Sequence, residues 1–175
     1  YAVTGVQTCA LPICRMLNPD MAVGIAVYGN GGMNTKYKSS PFAAVGGTSP
    51  TGVDLTQLFV APTVAYKVNA NNSIGLSLNL AYQQFGLSGL QTSAFAGFSS
   101  DPTHFSDQGK DSSTGWGARI GWTGQVSPTV TLGATYQSKT KMGKFDKYKG
   151  LFANQGEFDI PENYGIGIAV KTTPR

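Results

Sequence analysis

Three observations predict an all-β fold, an antiparallel up-and-down transmembrane β-barrel, of which this 175-residue chain carries six strands of a larger ring. Six long segments alternate apolar and small residues with a period of two. Their second face is built from Gly, Ala, Ser, Thr and Asn instead of the long charged side chains that a water-facing sheet carries. Short and long connections alternate strictly along the chain, as they do when short turns lie on one side of a membrane and long loops on the other. Only 13% of the residues are charged, against about 25% in soluble domains, so something other than water faces part of the surface.

The opening stretch YAVTGVQTCALPIC does not share the pattern. It has no strand or helix period, its apolar run from Cys9 to Ile13 is too short for a signal-peptide core, and Pro12 breaks it. Val3 to Ile13 resembles the in-frame translation of a sequencing-library adapter, so residues 1–14 are expected to be an artefact, loosely attached, with the strand pattern starting after Pro19. Both cysteines, Cys9 and Cys14, lie here; they are too close to close more than a tiny loop and lack further ligands nearby, so neither a disulfide nor a metal site is expected.

The first strand is expected near 21–37, where Val23, Ile25 and Val27 alternate with Ala22, Gly24 and Ala26. The second, near 54–68, sets Leu58, Val60, Val64 and Tyr66 against Phe59, Ala61, Thr63 and Lys67. The third, near 72–85, is the clearest: Ile74, Leu76, Leu78, Leu80 and Tyr82 alternate with Ser73, Gly75, Ser77, Asn79 and Ala81. A fourth, near 115–125, carries Trp116, Ala118, Ile120 and Trp122; a fifth, near 129–145, carries Val130, Leu132, Ala134 and Tyr136; a sixth, near 158–172, carries Tyr164, Ile166, Ile168 and Val170. Pro161 cannot donate to a ladder and marks a bulge, which leaves the direction of Glu162 open. Strands in globular sandwiches centre on about 5–6 residues. Ten residues tilted near 45° rise about 23 Å, close to the ~25 Å apolar band of an outer-membrane barrel. Aromatics gather toward strand ends, at Tyr66, Tyr82, Phe85, Trp122, Tyr136 and Tyr164, as interfacial girdles do.

The connections Asn69 to Asn72 and Val126 to Pro128 are short, whereas Lys38 to Gly52, Gly86 to Thr114 and Asp146 to Glu157 are long and are assigned to the outside. Several function classes drop out. No run approaches the ~18–20 apolar residues of a membrane helix. The net charge of +4 comes mostly from the cluster Lys139, Lys141, Lys144, Lys147 and Lys149, with no nucleic-acid motif around it. The glycine runs lack the GK[ST] ending of a phosphate loop. His104 lies between Asp101 and Asp107 in the longest loop, but no G-x-S-x-G elbow exists, so a surface lipase is disfavoured. No catalytic group, cofactor or metal is expected.

The stretches VGIAVYGNGGMNT, PTGVDLTQLFVAPTVAYKV, GARIGWTGQVSPTVTLGATYQSKT and MGKFDKYKGLFANQGEFDIPENYGIGIAVK together resemble the outer-membrane transport protein family typified by FadL and TodX, over nearly all of Arg15 to Arg175. The resemblance implies a fourteen-stranded barrel with an N-terminal hatch, of which this chain matches the third to eighth strands. It also implies passive import of hydrophobic small molecules across the outer membrane of a Gram-negative bacterium, by a monomer surrounded by lipid and lipopolysaccharide. A fragment without hatch and with two open edges is expected to be incompetent by itself. Fatty acid, alkane and aromatic hydrocarbon are not distinguished, and a general porin is the main alternative.

In the family the loops after the fifth and seventh strands capture substrate, and two long loops here match them by position. Leu87, Leu90, Phe95, Phe98 and Phe105 in one, with Leu151 and Phe152 in the other, are the candidate groove; packing on each other is the alternative. By strand parity Arg119, Lys139 and Lys141 point into the lumen, where a cation would attract a carboxylate or pair with an acid, whereas Lys144 takes the lipid side. Lys144, Lys147 and Lys149 are placed beside lipopolysaccharide phosphates.

Overall fold

The computed structural model describes residues 10–90, 95 and 97–172. They form one antiparallel sheet of β1 (Ala10–Asn18), β2 (Met21–Tyr37), β3 (Thr51–Asn69), β4 (Asn72–Ser88), β5 (Asp111–Ser127), β6 (Val130–Gln137), β7 (Lys141–Met142) and β8 (Asn163–Val170). The sheet order is β1-β2-β3-β4-β5-β6-β8, with β7 paired to β5. From β1 to β6 each strand neighbours its predecessor, the up-and-down arrangement, β8 follows beside β6, and β1 and β8 are the edges among the described residues.

The alternation read from the sequence becomes two distinct faces. Leu58, Leu76, Leu78, Leu80, Trp116, Ile120, Ile166 and Ile168 are 40–94% exposed, which in water would be unfavourable by roughly 1.5–3 kcal/mol per side chain and in hydrocarbon is not. The opposite, inner face carries Ala61, Asn79, Ala81, Gln83 and Ser113, all buried. Its cover comes from the long segment after β7, which folds back over the half of the inner face nearest the long loops.

The hairpins are staggered. Met21, at the start of β2, pairs with Tyr66, three residues before β3 ends, and Asn72, at the start of β4, pairs with Gly124, three before β5 ends. An offset of about 10 Å along the chain for every two strand spacings of about 4.8 Å corresponds to a tilt near 45°. That is the slope a membrane barrel requires.

Two expectations are corrected. The chain enters the sheet at Ala10, well before Pro19: β1 pairs with β2 from Ala10↔Tyr28 to Asn18↔Met21. Ladder pairing uses backbone groups only, so it needs no period of two. Cys14 lies exposed in β1, and Cys9 falls outside the described residues.

The second correction concerns the expected fifth and sixth strands. The run 129–145 is broken after Gln137: the register passes from Arg119↔Gln137 to Trp116↔Lys141, four residues on one side against three on the other, a β-bulge. The Ser138 hydroxyl takes over a ladder contact, accepting from the Ala118 N–H at 3.0 Å. On the neighbouring strand, pairing skips from Asn163 to a single bridge, Thr140↔Ile160, across Pro161. Both strands thus change facing together, and Gly115 makes it possible: a Cβ there would overlap the Lys141 carbonyl oxygen and the Met142 sulfur. Glu162 now has a direction. Tyr136 and Tyr164, whose rings meet at a tilt with centroids 5.0 Å apart on the outer face, donate their hydroxyls to its carboxylate at 3.2 and 3.1 Å, which draws it to that face.

Candidate functional site

From the long-loop end inward, the inner face is layered. The outermost layer is aromatic. Phe95 stacks on Phe105 at 6.2 Å and meets Phe42 edge-on at 5.8 Å, while Phe98 stands 87% exposed. Leu90 is half-buried beside them, its N–H donating to the Ser106 hydroxyl at 3.2 Å. Leu87, Leu151 and Phe152 go elsewhere, packing on the buried trio Phe85, Phe145 and Tyr148. The seven residues singled out in the sequence are therefore divided between two clusters. Sequence reasoning missed the trio that anchors the second, and Phe42 in the first. The signal that was available is density: Phe145, Tyr148, Phe152 and Phe158 crowd one loop.

Tyr148 ties the second cluster to the strands. Its hydroxyl accepts from the Leu87 N–H at 3.0 Å and donates to the Gly109 carbonyl. Burial pushes its pKa up, and the nearby Asp107 and Asp111 add to that, so it stays protonated and able to donate. The loop segment continues over the sheet, where the Gln83 side chain donates to the Phe158 carbonyl at 2.9 Å and accepts from Gln57 at 3.1 Å. Met142 and Ile160 pack on Phe59 and Ala81. Asn79 and Thr140 are both fully buried, with the Asn79 amide atoms and the Thr140 hydroxyl lacking a hydrogen bond among the described residues.

Below this cover sits Arg119. Its guanidinium donates to the Gln137 side-chain oxygen Oε1 and, at 3.2 Å, to the Tyr28 hydroxyl, and lies 5.8 Å from the Tyr28 ring, which itself stacks on Phe59 at 5.4 Å. All of these partners are neutral. Further toward the short turns, a trough of about 530 Å³ is floored by Gly75, Gly121, Gly133 and Gly167, with Ser73, Thr123 and Thr135 beside them. A small-residue floor leaves room where larger side chains would fill the barrel.

The two lysines assigned to the lumen with Arg119 are not there. Thr140 is the inward residue of its stretch, and the bulge turns Lys139 and Lys141, on either side of it, away from the inner face; Lys141 stands opposite the outward Trp116. Lys139 pairs with Asp159 at 2.7 Å and with Glu157 at 3.9 Å, partners supplied by this chain. Lys144 donates to the Asn154 carbonyl and Lys147 to that of Lys110, so both serve the loops. His104 contacts Asp101 at 2.8 Å; the Thr103 hydroxyl, then His104, hold the Asp101 carboxyl below its usual range. That triplet shapes a turn.

The family model for outer membrane protein transport protein (OMPP1/FadL/TodX) matches residues 6–168. Among solved structures, the toluene transporter TodX of Pseudomonas putida superposes with a TM-score of 0.73 at 20% identity, over 94% of this chain and 50% of that one. The toluene transporter TbuX of Ralstonia pickettii gives 0.62 at 20% identity, over 89% and 49%. A FadL homologue of Pseudomonas aeruginosa gives 0.59 at 17% identity, over 75% and 31%. The chain thus spans about half the length, or less, of the structures it matches. No curated protein matches it.

Proposed function

This chain belongs to the outer-membrane transport protein family of FadL and TodX, and from that premise we propose that the whole protein passively admits hydrophobic small molecules through the outer membrane. One observation carries the reading. Between Asp111 at the loop end and Lys67 at the turn end, Arg119 is the only ionised side chain on the inner face of β2 to β6 and β8 among the described residues. A general porin would set acidic against basic groups across its bore. Here the inner wall is aromatic above, small and uncharged below, with one cation between.

In this reading the exposed loop aromatics collect substrate. An apolar molecule that leaves water for the surface of Phe98 and the Phe95–Phe105 stack gains about 25 cal/mol for each Å² it buries. The segment over the inner face, with Phe145, Tyr148 and Phe152, bars water and ions from the bore. Arg119, satisfied only by neutral acceptors, has charge to offer an entering carboxylate. The protein works as a single copy set in lipid and lipopolysaccharide, as a channel and not as an enzyme.

The test is uptake by cells displaying the whole transporter. Phe95, Phe98 and Phe105 changed together to Ser reduce uptake of a labelled hydrophobic compound severalfold at matched surface levels; undiminished uptake overturns the capture role. Arg119→Met lowers uptake of a long-chain carboxylate by roughly tenfold, the equivalent of one charge-assisted hydrogen bond, and leaves an uncharged hydrocarbon of equal length unaffected. Equal loss for both would make Arg119 a brace for Gln137 and Tyr28 and nothing more.

A further inference from the structure

The bulge after Gln137 leaves a lysine on the wrong face for a transmembrane wall. Lys141 stands exposed opposite Trp116, on the face that otherwise presents Leu78, Leu80, Ile120 and their neighbours to hydrocarbon. Its ammonium has no hydrogen bond or ion pair among the described residues, in contrast to Lys110, Lys139, Lys144 and Lys147. A cation at the middle of the band would be strongly unfavourable. The register gives its height. Leu78, the central residue of the apolar run of β4, pairs with Ala118; Trp116 is two residues nearer the loops, and the hairpin stagger adds three more by the time β7 is reached. Five residues on a 45° slope place Lys141 about 12 Å above Leu78, the edge of a ~25 Å band.

The surface below it is shaped as well. A groove of about 650 Å³ runs on the outer face between Leu78 and Leu80 of β4, Trp116 of β5, and Lys141 to Gly143. Trp116, 62% exposed, lines it on the strand next to the lysine. An apolar groove that opens toward a single unpaired ammonium at the membrane edge fits one kind of molecule: an acylated, phosphorylated lipid with its chain along Leu78 and Leu80 and its phosphate on Lys141. The long loops put this edge on the outside, and the lipid there is lipopolysaccharide.

We infer that Lys141, Trp116 and the groove they share hold one lipopolysaccharide molecule, through a lipid A phosphate and one acyl chain. The inference rests on the outer-membrane setting of the proposed function and on nothing about substrate. It replaces the loop lysines Lys144, Lys147 and Lys149 as the phosphate contact.

The test uses the whole protein, extracted from outer membranes in mild detergent, with the lipid that stays bound measured by native mass spectrometry and by titration with purified lipopolysaccharide. Lys141→Gln lowers affinity about fivefold, the effect of one lysine at a charged lipid surface. Lys141→Arg keeps it, Trp116→Ala lowers it, and Lys149→Gln leaves it unchanged. Unchanged binding in Lys141→Gln overturns the inference, as does a Lys141-dependent affinity seen only with phosphatidylglycerol. Hydrophobic uptake in the same variants separates the two readings: normal uptake with unchanged lipid binding removes the lipid site and leaves transport standing. Fractionation of the whole protein away from the outer membrane would remove both.

Discussion

Leu78→Arg destabilises the folded barrel in lipid by about 2–4 kcal/mol, whereas Thr123→Arg has an effect near zero to 1 kcal/mol. Leu78 is 44% exposed on the outer face in the middle of the apolar run of β4, where an arginine must be buried in hydrocarbon or drag water and headgroups toward it. Thr123 is on the inner face, exposed in the glycine-floored trough, where a long cation has room and water. Refolding into lipid vesicles against denaturant gives both numbers. Equal losses would mean that the register relating the two faces is wrong. Asn79, the inward residue adjacent to Leu78, is not the right control. Strand parity alone makes it a lumenal position open to a long side chain, but it is fully buried and pairs with Gly117, against which Thr140 lies, so an arginine there must displace the covering segment.

Tyr148→Ala is the other large effect, about 3–5 kcal/mol, confined to the covering segment instead of spread over the barrel. The ring is fully buried, meets Phe85 edge-on at 4.9 Å, and its hydroxyl serves Leu87 and Gly109. Removing it leaves a cavity and two unpaired backbone groups. Hydrogen exchange of the folded protein reads the change: the Phe145 amide, bonded to the Gly156 carbonyl at 2.8 Å, loses protection, while amides in the middle of β4 keep theirs. Tyr148→Phe, which keeps the ring, shows a smaller loss. Matching exchange in wild type and Tyr148→Ala would show that this residue does not hold the segment down.

What the sequence made legible was whatever repeats. Period two assigns Ile74, Leu76, Leu78 and Leu80 to one face without reference to any other part of the chain, because facing in a strand is a local property of the pleat. The same rule fails for Lys139 and Lys141, since one extra residue at Ser138 reverses facing and leaves no mark in composition. β1 was invisible for the opposite reason: its pairing uses only backbone, and its side chains have no pattern to read. The division of the loop aromatics into two clusters depends on which loop folds inward. That is settled by contacts between residues far apart in sequence, such as Gln83 with Phe158, and no local signal carries them. Around Arg119 parity has no such break to cross, because β5 keeps a regular register through its middle.

The three-residue stagger of the hairpins also sets the width of the finished ring. Strands about 4.8 Å apart and sloped at 45° occupy about 6.8 Å of circumference each, so a closed ring of about fourteen has a backbone radius of roughly 15 Å. Inward side chains reach only about 6 Å, and along the trough glycine reaches hardly at all. Such a cylinder would stand open as a bore wide enough for sugars and salts. Walls at this slope leave a space that their own side chains do not fill, and over these strands the segment from Gly143 to Glu162, laid across the upper wall on Phe85, Gln83 and Phe59, occupies it.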